Sequence, residues 1–208
     1  MRHLPLVFLA PVLLIASALR ADTIPYATPG TPVAATVLTA TSSGVITGFF
    51  AGQSAGDDSV IRLVDLTSGY TSGYFFANHS TVLGSSANFG SVNAGDTVVF
   101  ELYNQSKDMT FATDPSKSVD GLNHGYVAAF GGGDIDGVIL PAGIYVGMED
   151  LPGGGDLDYN DNTFVFSNVS ISTQSLATAH APEPGSLFLL GTGVLGVAGT
   201  LRRKLASR

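Results

Sequence analysis

The stretch from Ile144 to Ile171, IYVGMEDLPGGGDLDYNDNTFVFSNVSI, holds two β-like runs apart with an acidic, glycine-rich turn. Ile144–Met148 and Thr163–Ile171 are rich in the β-branched and aromatic residues that fit a pleated, half-buried surface. Between them, Pro152-Gly153-Gly154-Gly155 continues neither a helix nor a strand. The same pattern recurs upstream, where the runs Val45–Ala51, Val60–Leu66, Tyr74–Ala77, Thr97–Tyr103, Gly125–Phe130 and Gly137–Leu140 read as strands. Asn93-Ala94-Gly95-Asp96 and Gly131-Gly132-Gly133-Asp134 supply turns. No part of the middle of the chain sustains a capped apolar period of 3.6 residues. The spacing predicts an all-β fold over residues 22–171, an antiparallel, jelly-roll-like β-sandwich of about eight strands.

Residues 22–36, with Pro25, Pro29 and Pro32, read as an extended lead-in, and residues 172–180 as a flexible linker. GGGDID at 131–136 and GGGDLD at 153–158 echo each other, and are expected to form similar turns. Two copies do not make a solenoid.

Composition narrows the function classes. The chain has 208 residues, 26 of them glycine, with 12% charged and no cysteine. Disulfides, thiolate metal sites and cysteine nucleophiles are therefore absent. Residues 22–180 contain 16 acidic and three basic residues, Arg62, Lys107 and Lys117. A domain so acidic repels nucleic acid and attracts divalent cations or basic partners.

The two ends read as export signals. Arg2 and His3 precede an apolar run from Leu4 to Ile15 and the small residues Ala16-Ser17-Ala18 and Ala21. That order is a secretory signal peptide over residues 1–21, cut by signal peptidase before Leu19 or after Ala21. A short membrane anchor is the alternative. At the other end, Pro182-Glu183-Pro184 precedes an uncharged apolar stretch from Leu187 to Leu201 and the basic cluster Arg202-Arg203-Lys204. The stretch is marginal for a membrane span, and the basic cluster places its far end in the cytoplasm. Tripeptide, apolar segment and basic cluster together resemble the PEP-CTERM sorting signals of Gram-negative bacteria, over residues 181–205. The resemblance implies recognition by a membrane-embedded exosortase, passage through the inner membrane, loss of the tail during export, and delivery to the envelope or medium.

The acidic turn holds the densest chemistry. Glu149, Asp150, Asp156, Asp158, Asn160 and Asp161 place six carboxylates or carboxamides within thirteen residues. Calcium takes 6–8 oxygens, and alternating Asp-x-Asp-x-Asn side chains converge on one ion when glycines let the backbone curl. The EF-hand pattern fails, because Asp161 stands where that loop needs glycine and Ser167 where it needs glutamate. A solvated acidic turn and a glycosidase carboxylate pair are the alternatives, though such pairs sit in clefts on separate elements. The string Gly147-x-Glu149-Asp150, then Gly154-Gly155-Asp156-x-Asp158-Tyr159-Asn160-Asp161, resembles the hallmark of a domain family of unknown function, DUF4114, over roughly residues 124–169. Asn162-Thr163 departs from that pattern, where an apolar residue is expected. Members of that family are exported and often carry PEP-CTERM tails.

Other signals are weaker. His79, His124 and His180 show no zinc spacing, and no G-x-S-x-G elbow accompanies an α/β pattern. Tyr26, Tyr70, Tyr74 and Tyr126 are candidate stacking surfaces for sugars or ordinary core and rim residues. The leading expectation is a non-enzymatic surface or matrix protein, calcium-stabilised and active in adhesion or exopolysaccharide association. The rivals are a secreted carbohydrate-active enzyme and a purely structural matrix component.

Overall fold

The computed structural model describes residues 24–172. The signal peptide, the 173–180 part of the linker and the sorting segment lie outside the described residues. Among the described residues the fold is all-β, with two short 3-10 turns at Pro115–Lys117 and Pro152–Gly154. No helix there is long and apolar enough to cross a membrane, and the predicted span Leu187–Leu201 lies outside them.

Two five-stranded antiparallel sheets and a small hairpin make up the structure. The first sheet contains β1 (Leu38–Ala40), β3 (Ser59–Asp65), β5 (Thr97–Asn104), β6 (Met109–Ala112) and β12 (Val169–Ile171). The second runs β4 (Ser86–Val92), β2 (Gly44–Gln53), β11 (Asn162–Phe166), β10 (Gly143–Met148), β7 (Gly125–Phe130). Among the described residues β8 (Gly133–Ile135) pairs only with β9 (Val138–Leu140). The chain crosses between the sheets after β1, β2, β3, β4, β6 and β11, so most loops lie at the two ends of the stack.

Strand alternation explains the packing. Ile61 and Leu63 on β3, Phe100 and Leu102 on β5, and Val146, Met148, Phe164 and Phe166 on the second sheet all enter one shared core. Phe100 stacks on Phe166 at 3.7 Å between ring centroids, while Phe89 meets Phe166 edge-on at 5.2 Å. Glycine at 48 is required by this cluster, since a Cβ there would lie 2.5 Å from Phe89 and 2.7 Å from Phe166. Opposite residues on the strands, Ala51, Ala128, Phe130, Tyr145 and Val165, leave on the outer face of the second sheet. There Ile24 and the β8–β9 hairpin cover them.

Several expectations need correction. Thr163–Ile171 is two strands in different sheets, because Ser167-Asn168 turns the chain and Asn168 adopts a left-handed φ of 59°. Tyr74–Ala77 is no strand: only Phe75 bridges Ile61, and Phe76 at φ 56° ends the pairing. β1, β4, β6 and β8 were not expected, being short or rich in Ser, Gly and Asn. The two GGGD strings differ as well. The first leads into β8 of the hairpin, whereas the second overlaps the 3-10 turn Pro152–Gly154.

Candidate metal centre

β10 and β11 are register partners from Ile144↔Phe166 to Met148↔Asn162, and the acidic turn connects them. Its path depends on left-handed backbone at Gly153, Gly154 and Gly155, and again at Leu157 and Tyr159. The last two are not glycine, and each stores roughly 1 kcal/mol or more of backbone strain. The alternation brings Asp156 and Asp158 back over Glu149. Each of these three offers an oxygen within 4.8 Å of the other two. They are the single such acidic group of three or more among the described residues.

Glu149 sits beneath the turn, fully buried. Its backbone N–H donates to the His124 carbonyl at 2.9 Å, and its Oε1 accepts the Tyr159 N–H. Among the described residues its Oε2 has no hydrogen-bond partner. Glycine at 155 leaves that oxygen room, since a Cβ there would come within 2.7 Å of it. Burial pushes the Glu149 carboxyl up to about 8; the charges of Asp161, Asp156 and Asp158 add to this and the Tyr159 N–H opposes it. Burial also raises the Asp158 carboxyl, with the Asp156 and Asp161 charges adding to the rise.

Tyr159 fixes the turn to the body of the domain. Its ring is buried and its hydroxyl accepts the Val33 N–H at 3.1 Å. Gly147 gives its carbonyl room, because a Cβ at 147 would approach that oxygen to 2.2 Å. The lead-in contributes again where the Gly30 N–H donates to the Asp156 carbonyl at 3.0 Å. Asp120 holds the far side, accepting the Gly153 N–H at 2.8 Å while both its oxygens lie 3.1 Å from His124 Nε2.

Of the six expected residues, Glu149, Asp156 and Asp158 converge. Asp150 and Asp161 lie outside that group of three. Asn160 is turned aside, its Oδ1 accepting the Ser54 hydroxyl and its Nδ2 donating to Asp158. Asp161 pairs with Asp150, its Oδ2 accepting the Asp150 N–H at 3.0 Å, while its charge also acts on Glu149 and Asp158. Burial raises the Asp150 carboxyl to about 6; the Asp161 charge adds to this and the Ser59 hydroxyl opposes it. The partners Tyr159, Asp120, Ser59 and Asn104 were not expected. Only Tyr159 carried a sequence signal, as part of the string Gly154-Gly155-Asp156-x-Asp158-Tyr159-Asn160-Asp161. His79 and His124 each meet a carboxylate of their own, Asp58 and Asp120.

Beyond the domain, residues 180–204 match the family model described as the PEP-CTERM protein-sorting motif. Pro182-Glu183-Pro184 and Arg202-Arg203-Lys204 fall within that match, and outside the described residues. No curated protein and no solved structure matches the chain. The chain thus joins an acidic all-β domain to an exosortase sorting signal. It is an exported protein, anchored in the membrane and processed by exosortase on the way.

Proposed function

We propose that this protein is a non-enzymatic component of the cell envelope or extracellular matrix, its β-sandwich stabilised by calcium and active in adhesion or exopolysaccharide association. The observation that carries the calcium reading is Glu149 Oε2, a buried carboxylate oxygen with no hydrogen-bond partner among the described residues, beside the oxygens of Asp156 and Asp158. A buried carboxylate without a counter-charge is strongly disfavoured, and a hard divalent cation with oxygen ligands satisfies all three groups. The likeness to DUF4114 domains supports the same assignment, because the shared string supplies both the acids and the glycines that make room for them. Glu149 is too buried to touch a glycosidic oxygen, so its raised carboxyl favours metal holding over acid catalysis. Exposed Tyr26, Tyr70 and Tyr74 support association with polysaccharide.

Among the described residues the two apolar clusters span 24–169, so residues 22–180 contain both and are the segment taken for a thermal melt. Extracellular calcium modules bind with Kd of about 10⁻⁴–10⁻³ M. Free calcium at about 100 times Kd adds about 2.7 kcal/mol, a rise of roughly 5–11 °C for a domain of this size. Magnesium holds its waters in a tighter octahedral shell and shifts the melt far less. Equal shifts with calcium and magnesium would return the turn to an ordinary solvated loop.

A further inference from the structure

Glu149 and Asp150 are neighbours in sequence but not in direction. Met148 packs into the core shared by the two sheets, and successive side chains on an extended strand leave on opposite faces. Glu149 therefore turns away from the core and Asp150 turns back into the layer between the sheets. Contacts agree, since Asp150 Oδ2 accepts the Ser59 hydroxyl of β3, in the opposite sheet, at 3.1 Å. Asn162 is the register partner of Met148, so its side chain enters the same layer.

That end of the sandwich is closed by polar groups. Ser59, Asn78, Asn104, Asp150 and Asn162 are all at most 3% exposed. Most are satisfied: the Ser59 N–H donates to Asn78 Oδ1 at 3.0 Å, and Asn104 Nδ2 donates to the Asp150 carbonyl at 2.8 Å. Asn162 is not, because neither its Oδ1 nor its Nδ2 has a partner among the described residues. Asp161 brings a second carboxylate to the Asp150 backbone. Among the described residues no cation is bound to the pair, and His79, which feels the Asp150 charge, is held by Asp58 and the Ala55 carbonyl. Lys107 is bound to Asp57 and Arg62 to Glu101. Two adjacent carboxylates, one of them buried, beside an unsatisfied amide make an arrangement that folding avoids unless something bridges them.

We propose that the acidic turn is a two-cation clamp, with a second calcium ion held by Asp150 and Asp161 and by Asn162 Oδ1 and Ser59 Oγ as neutral donors. The proposal deepens the calcium reading and rests on it. Charge supports the assignment, since one divalent ion neutralises the two carboxylates, and an amide and a hydroxyl oxygen suit a hard cation. The two ions would do different work. The outer one, on Glu149, Asp156 and Asp158, fastens the turn to β10. The inner one ties the β10–β11 end to β3 across the core.

Stoichiometry decides the matter. The full chain, purified in detergent and stripped with EGTA, is taken through equilibrium dialysis against radioactive calcium. The expected result is two ions per chain in the wild type, one in Asp150→Asn and one in Glu149→Gln. Asn162→Asp, which adds a ligand charge at the inner site, keeps two and tightens the weaker. One ion in the wild type overturns the second site and leaves the first standing. Two ions retained by a folded Asp150→Asn overturn it as well. No bound calcium in the wild type removes the calcium reading itself. The wild-type count stands whether or not the Asp150 variant folds.

Discussion

Replacing Glu149 with glutamine isolates the electrostatic cost of the site, because it removes the charge and little else. Glutamine retains an oxygen for the Tyr159 N–H and fills the same volume. The folded carboxyl lies at about 8 against an ordinary 4.5. A carboxyl raised in this way costs the fold nothing below its unfolded pKa. The cost grows as pH rises past 4.5 and is complete above about 8, where the fold must hold the charge. At about 1.36 kcal/mol per pKa unit the ceiling is roughly 5 kcal/mol. Water entry and relaxation lower it, so on the order of 3 kcal/mol is the working figure.

The assay is a pair of thermal melts in EGTA, at pH 5 and pH 8.5, on residues 22–180. Wild type and Glu149→Gln should melt within a few degrees of each other at pH 5. At pH 8.5 the variant should melt higher, by roughly 6–12 °C at 2–4 °C per kcal/mol. Calcium at about 100 times Kd closes most of that gap, since the ionised wild-type carboxylate binds the ion for about 2.7 kcal/mol and the amide binds it far less. A variant less stable than wild type in EGTA at both pH values would show that Glu149 is held by contacts that glutamine cannot make. Those contacts would then outweigh the cost of the buried charge.

Three further outcomes follow from the same structure. Asp156→Ala/Asp158→Ala should remove the outer ion's share of the calcium-induced rise in melting temperature and leave the inner ion's, with the EGTA melt within a few degrees of wild type, Asp156 being exposed and Asp158 half-buried. Phe166→Ala should cost about 3–5 kcal/mol in urea unfolding, because it removes a fully buried ring packed on Phe100 and Phe89. Replacing Pro182-Glu183-Pro184 with alanines should hold the full chain in the inner membrane with its tail uncleaved, as read by fractionation and intact mass.

The sequence made the fold class legible wherever strands were long and apolar. Val60–Leu66, Thr97–Tyr103, Gly125–Phe130 and Ile144–Met148 all correspond to observed strands. It was silent at Ser86–Val92, SANFGSV, where only Phe89 and Val92 are both apolar and buried and the pairing with β2 rests on backbone. The acids of the turn were legible as a cluster, but their division was not. Density along the chain treats Glu149 and Asp150 as equivalent, whereas the pleat sends one outward under Asp156 and the other inward to Ser59. Alternation along Ile144–Met148, carried two residues further, contained that division. The partner Ser59 was invisible because it lies 91 positions away, on the facing sheet.

The break at Asn168 shows how one polar residue redirects a run that otherwise reads as continuous strand, and it supports a prediction of its own. Asn168 holds φ 59°, a conformation that asparagine tolerates better than most residues. Its Oδ1 accepts from the Thr41 hydroxyl at 2.7 Å, the Ser42 N–H at 2.9 Å and the Ser42 hydroxyl at 2.7 Å. Its Nδ2 donates to the Ser42 carbonyl at 3.0 Å. The side chain therefore stitches the β11–β12 turn to the β1–β2 turn, where the chain passes from one sheet to the other. Alanine loses those bonds and keeps the strained backbone, a loss of about 2–4 kcal/mol from exposed hydrogen bonds and left-handed strain together. Glycine loses the same bonds but not the strain, so it should destabilise by about 1 kcal/mol less than alanine. Urea unfolding of both variants separates the two contributions. Equal losses would assign the whole effect to the side-chain bonds, and a wild-type-like alanine variant would mean that backbone pairing alone sets the crossing.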